Sequence, residues 1–207
     1  FTTYQATRSV PVPTRDRQEK AVNYLGLLKE KSFVFLLVST LIFSHCQATV
    51  LNFLALISQE RGVSAGRFFL VSNVIAIVIL LSTGKLIDRF GKLVFMRLSY
   101  PVFALGILFI PEMIGSALHT VPAALYGIGV AMLFSTHNAI AAGHGENIDK
   151  PAVMSLFTTV YDIGYVTGAI VSGWYAHMTS LDVLYWTCGM FCSIGLIVVV
   201  VFPIKEK

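Results

Sequence analysis

Asp162 is the one carboxylate well inside a long apolar stretch of this 207-residue chain, about ten residues into the block 152–177. An ionised carboxylate in hydrocarbon is costly unless it is paired, protonated or hydrated, so such a residue marks a site for a proton or a cationic solute. The structural alternative is that Asp162 accepts a hydrogen bond from backbone or a neighbouring tyrosine and fixes helix packing. Five more polar residues lie inside apolar blocks: His45, Gln47 and Asn52 in the first, His137 and Asn138 in the fourth. His45 and Asn52 are seven apart and share a helical face. All five are candidates for solute contact at membrane depth. As interhelical hydrogen bonds they would each contribute only about 0.6 kcal/mol.

Other chemistries find little support. His144, Glu146 and Asp149 share a short polar segment, but their spacing matches no zinc pattern and reads as a solvated loop. Cys46, Cys188 and Cys192 all fall in apolar runs, where packing as small apolar residues is expected rather than a disulfide framework. An intramembrane serine protease needs a serine and a general base together. Ser64 lies in a polar break with no base placed for it, so no enzyme, cofactor or metal is expected.

The elements that must hold these residues are membrane helices. Hydrophobic residues make up 56% of the chain and charged residues 13%, with mean hydropathy +0.75. Soluble domains carry roughly a quarter charged residues, so the expected solvent is lipid. The formal charge of +4 is too small and too dispersed to indicate a nucleic-acid partner. A bilayer core of about 30 Å takes roughly 20 apolar residues. Six blocks approach that length: 32–57, 68–87, 93–110, 118–142, 152–177 and 181–202. The breaks between them carry turn residues, with Asn147, Asp149 and Ser180 as potential helix caps and Pro203 as a stop. Pro101 interrupts the third block, the shortest of the six.

Residues 1–31 form a separate region. Its first part, with Pro11 and Pro13, reads as an extended basic linker. Val22, Leu25 and Leu28 then suit a short helix lying in the membrane interface. With the N-terminus inside, thirteen of the fifteen Lys and Arg residues face the cytoplasm, leaving only Arg61 and Arg67 outside. The positive-inside rule therefore predicts six spans over 32–207 with both termini cytoplasmic.

Between the second and third blocks stands Gly84-Lys-Leu-Ile-Asp88-Arg89-Phe-Gly91-Lys92, expected to be a tight inner turn in which Gly84 allows close helix approach and Gly91 a backbone reversal. One block later, Gly164, Gly168 and Ser172 recur every four residues with Gly173 alongside, a small-residue stripe suited to close helix packing.

The pattern Gly-x-x-x-Asp-Arg-x-Gly-Lys between two spans resembles the signature of the major facilitator superfamily. Residues 62–69 resemble its outer loop leading into helix eight. Tyr161-Asp162-Ile-Gly164-Tyr-Val-Thr-Gly168 resembles the start of helix eleven in drug- and metabolite-efflux members. The resemblance implies an all-helical fold in which these six spans, as two inverted three-helix repeats, form the C-terminal half of a twelve-helix transporter. The partner would be an N-terminal six-helix half absent from this chain, and the cargo a small organic solute crossing the cell membrane. Gly84, Asp88, Arg89, Gly91 and Lys92 would form a gating motif, with Asp88 capping a helix of the other half. Asp162 stands in that pattern in front of packing glycines, so a proton-coupling or cation site and a packing role both stay open for it. His45, Gln47, Asn52, His137 and Asn138 would line the central cavity, because spans one and four are counterparts in such repeats. The chain departs from efflux members at Leu80, where an arginine is common, so no role of that arginine carries over. Proton-coupled efflux by alternating access is the expected function. The alternatives are an uptake permease of the same fold, or a non-transport six-span protein such as an intramembrane enzyme or a homodimeric half-transporter.

Overall fold

A computed structural model describes residues 24–144, 150–202 and 204, without the side chains of Tyr24, Leu25, Thr83, Lys85, Leu86 and Asp88. Residues 1–23, with nearly all of the expected linker, lie outside the described residues, as do Glu146, Asn147, Asp149 and Pro203. The described residues are mostly helical, without strands. After the short turn α1 (Tyr24–Leu27) come α2 (Lys31–Glu60), α3 (Ala65–Phe90) and α4 (Lys92–Leu108). The one-turn α5 (Ile110–Met113), α6 (Thr120–Gly143), α7 (Lys150–Met178) and α8 (Leu181–Val201) follow.

The ends of these helices follow from local chemistry. Gly62 adopts φ +68° after α2. Its N–H donates to the Gln59 carbonyl, and that of Val63 donates to Ser58, the paired closure that a left-handed residue permits at a helix C-terminus. Ser64 caps α3 by accepting from the Gly66 N–H at 3.3 Å. Ser180 caps α8 by accepting from the Val183 N–H at 3.3 Å.

Five helices (α2, α3, α6, α7 and α8) are long and apolar enough to cross a membrane by length and composition. The third expected span differs. α4 has 17 residues, about 26 Å at 1.5 Å per residue, short of a bilayer core by itself. Its ladder continues through Phe109 N–H to Leu105, Met113 N–H to Phe109 and Ile114 N–H to Ile110. Pro111, which has no N–H to donate, sits where the helix divides. The segment expected to be a loop after the third span, residues 111–115, is thus partly helical.

Packing repeats itself. α2 packs on α7 and α8, α6 packs on α3 and α4, and α4 packs on α8. Exchanging α2, α3 and α4 for α6, α7 and α8 leaves this pattern of neighbours unchanged. That is the arrangement of two three-helix repeats, which run in opposite senses because three is odd. Phe33, Phe43, Leu54, Met96, Tyr100, Phe103 and Tyr185 form the interior around α2. Leu70, Leu81, Ile170, Trp174, Met190 and Val201 are exposed on the outside, a surface suited to lipid or another apolar protein face rather than water.

Candidate substrate face and coupling residue

The two faces of α7 differ in kind. On one, Gly164 and Gly168 lie against the α2 backbone. A Cβ on Gly168 would stand 2.5 Å from the His45 carbonyl oxygen, and one on Gly164 would meet the Ser44 hydroxyl and stand 2.7 Å from the Leu41 carbonyl oxygen. Ser172 continues the stripe with a 2.7 Å hydrogen bond to the Thr49 hydroxyl. Gly173 lies beside it, where a Cβ would make ordinary contact with the Phe53 ring at 3.5 Å.

On the other face, Ser155, Thr158, Thr159 and Asp162 are all exposed. Asp162 is thirteenth in α7, about 18 Å along its axis. Its carboxylate has no hydrogen bond or ion pair among the described residues.

Beside this carboxylate runs an aromatic cluster. The Tyr161 hydroxyl donates to the Gln47 side-chain oxygen at 2.6 Å. The Tyr161 ring stacks on Tyr165 at 6.2 Å and meets Phe134 edge-on at 6.0 Å. It also lies 6.2 Å from Phe43. Asn138, one turn beyond Phe134 on α6, donates its side-chain N–H to the Phe134 carbonyl at 2.8 Å. Tyr161 thus joins Gln47 of α2 and Phe134 of α6 to α7, one residue before Asp162, while Asn138 bonds within its own helix. Sequence reasoning missed Tyr161, Tyr165 and Phe134 as site residues. The available signal was a pair of tyrosines bracketing the acid at helical spacing.

The other polar candidates go elsewhere. His137 is fully buried. Its Nδ1–H donates to the Leu133 carbonyl at 2.7 Å, so Nε2 accepts from the Ser39 hydroxyl at 2.8 Å. The Tyr100 hydroxyl donates to the Ser39 carbonyl at 2.8 Å, closing a polar knot between α2, α4 and α6. The imidazole stacks on Phe43 at 5.5 Å. With its hydrogen bonds made inside the bundle, His137 does not line the face, contrary to expectation.

His45 points the opposite way from Gln47, into a separate cleft of about 260 Å³ between α2, α7 and α8. Thr49, Ser172, Tyr175, Thr187 and Phe191 also line it. Asn52 donates to its own helix at the Ala48 carbonyl, 2.7 Å away. The five cavity candidates therefore do not form one constellation. His144, read as part of a solvated loop, is instead fully buried and bonded to the Ser32 hydroxyl at 3.1 Å. No group of metal-ligating residues occurs among the described residues. The three cysteines are buried and free.

The charged motif is also rebuilt by the structure. Residues 84–90 are helical and belong to α3, so the turn is the single residue Gly91, with φ +86° and its N–H on the Ile87 carbonyl at 2.9 Å. Lys-Leu-Ile-Asp-Arg-Phe contains no helix breaker, and charge alone does not end a helix. Gly84 is exposed, with nothing within 4 Å of a Cβ placed on it, so the close approach expected there is not made within the described residues. Arg89 is exposed with its guanidinium 5.5 Å from the Phe90 ring centre, and Lys92 opens α4. The Asp88 side chain lies outside the described residues.

At the opposite end, Arg61 donates to both carboxylate oxygens of Asp182 at 2.7 and 2.8 Å, tying the end of α2 to the start of α8. That hydrogen-bonded carboxylate holds the guanidinium pKa above its ordinary value.

Membrane-length helices in two interlocked repeats and an apolar exterior define a polytopic membrane protein. The model of the Major Facilitator Superfamily matches residues 1–146 and 68–207, which together span the chain. The chain belongs to that superfamily and is a membrane transporter. No curated protein matches it.

Proposed function

We propose that this transporter moves a small organic solute, neutral or cationic, across the cell membrane by alternating access, as proton-coupled efflux. The observation that carries the reading is Asp162. It is an acid halfway along a membrane-length helix, without a hydrogen bond or ion pair among the described residues, on an exposed polar strip beside Tyr161, Tyr165 and Gln47. Such a carboxylate gains most when a proton or a cation neutralises it. The aromatic rings beside it offer flat apolar contacts and cation–π faces. No lysine or arginine interrupts this strip to favour an anionic cargo.

In this reading the chain is the C-terminal six-helix half, with both ends in the cytoplasm. The exposed faces of α3 and α7 meet an N-terminal half across the solute path. Asp88, in the last turn of α3, caps a helix of that half and favours the state closed to the cytoplasm. A carboxylate at a helix N-terminus contributes about 0.3–1 kcal/mol, enough to bias an equilibrium without fixing it.

The test is solute accumulation in membrane vesicles containing the protein, using a panel of aromatic cations and neutral aromatics. Accumulation is expected to rise when a proton gradient is imposed. No gradient effect on any solute would remove the proton-coupled reading.

A further inference from the structure

A second cavity, of about 200 Å³, lies at the end of the bundle that carries Arg61 and Asp182, remote from the α7 polar strip. Ser64, Arg67, Phe68, Ile114 and His119 line it. Two helices begin here: α3 after its cap Ser64, and α6 after His119. Neither has an acidic residue in its first turn, so the positive ends of both helix dipoles are uncompensated locally. Arg67 is exposed and has no ion pair among the described residues. The Ser64 hydroxyl oxygen accepts from Gly66, which leaves its hydrogen available to donate.

His119 supplies the opposite chemistry. Its Nδ1 lies 3.0 Å from the Ser116 carbonyl. A carbonyl only accepts, so Nδ1 carries the hydrogen and the neutral ring presents Nε2 as an acceptor. That Nε2 is buried and has no hydrogen-bond partner. The cavity therefore offers a guanidinium, a hydroxyl and helix N–H groups as donors, with one imidazole nitrogen needing a hydrogen.

We propose that this cavity binds a phosphate that still carries an O–H group. Three oxygens accept from Arg67, Ser64 and the α3 N-terminus, and the P–O–H donates to His119 Nε2. Free monohydrogen phosphate keeps this O–H in mildly alkaline solution, whereas a phosphomonoester headgroup, with a second pKa of about 6, has lost it.

Sulfate has the shape and charge of monohydrogen phosphate but lacks the hydrogen, so it leaves Nε2 unpaired. Sites built to bond a hydroxyl discriminate strongly against analogues without one. Calorimetric titration of the full chain in maltoside micelles tests this, in mildly alkaline buffer above the range where imidazoles titrate. Phosphate is expected to bind at least about tenfold more tightly than sulfate at matched ionic strength. His119→Gln, whose amide can donate as well as accept, should largely erase that preference, and Arg67→Gln should weaken both anions.

Short-chain phosphatidic acid, a dianion without a P–O–H at that pH, is expected not to displace phosphate, and competition as tight as that of phosphate itself would overturn the O–H requirement. Absence of saturable phosphate binding, or equal affinity for sulfate in the wild type, overturns the proposal without reliance on any variant.

Discussion

α3 and α7 occupy equivalent places in the two repeats, yet they present different chemistry. Each packs on the first helix of the other repeat at backbone distance. α7 brings its own glycines, Gly164 and Gly168, to α2, whereas α3 receives Gly127 of α6 against its Ser72 carbonyl. Their exposed faces diverge further. That of α3 carries Val74, Ile77, Val78, Leu80 and Leu81, with Asn73 as its polar exception in the middle of the helix. That of α7 is polar from Ser155 to Asp162 and apolar only beyond, at Val166, Ile170 and Trp174. Packing was duplicated between the repeats, and the mid-helix carboxylate was placed in one of them.

The contrast can be broken most severely at the seams. Gly168→Val would drive a branched side chain into the His45 carbonyl and Ala48. Overpacking of this kind costs about 1–3 kcal/mol, and more against rigid backbone. Gly127→Val makes the equivalent insult at Ser72. Both variants are expected to lose most monodisperse protein on size-exclusion chromatography, while Gly84→Val, with open space around it, should behave as wild type.

The difference between the exposed faces is tested by thiol labelling in a cysteine-free background. Thr158→Cys is expected to react with a membrane-impermeant thiol reagent and Ile77→Cys to stay unlabelled. Equal labelling of the two would show that the polar strip of α7 is no wetter than the apolar face of α3.

Tyr161→Phe should have the smallest effect. It removes one hydrogen bond to Gln47, worth about 0.6 kcal/mol inside a membrane protein, and keeps the ring stack. A slight fall in thermal midpoint is expected, with solute affinity reduced a few-fold through the loosened Gln47 side chain.

The fold was largely legible because span length and turn chemistry are local properties. The last expected block begins at the residue where α8 begins, and the capping role of Ser180 could be read from its type. The motif at 84–92 misled because charge and glycine suggested a turn, whereas only Gly91 has a backbone that leaves the helix. The candidate site was less legible. His45, Gln47 and His137 are all polar residues at membrane depth, and sequence cannot say which neighbour each will face. His137 finds Ser39 and Tyr100, 98 and 37 residues away, and becomes part of the interior. Gln47 finds Tyr161 and stays at the exposed junction. Arg67 was legible only as an outer-side charge and His119 not at all, because their meeting depends on α3 and α6 starting side by side.

The central claim is that Asp162 couples proton movement to solute movement, and Asp162→Asn in reconstituted vesicles tests it most directly. Asparagine keeps the size and hydrogen-bonding capacity of the side chain but cannot exchange a proton. The variant is expected to retain solute exchange down a concentration gradient while losing accumulation driven by an imposed proton gradient. Undiminished gradient-driven accumulation in Asp162→Asn would contradict the account and leave Asp162 with a packing role alone.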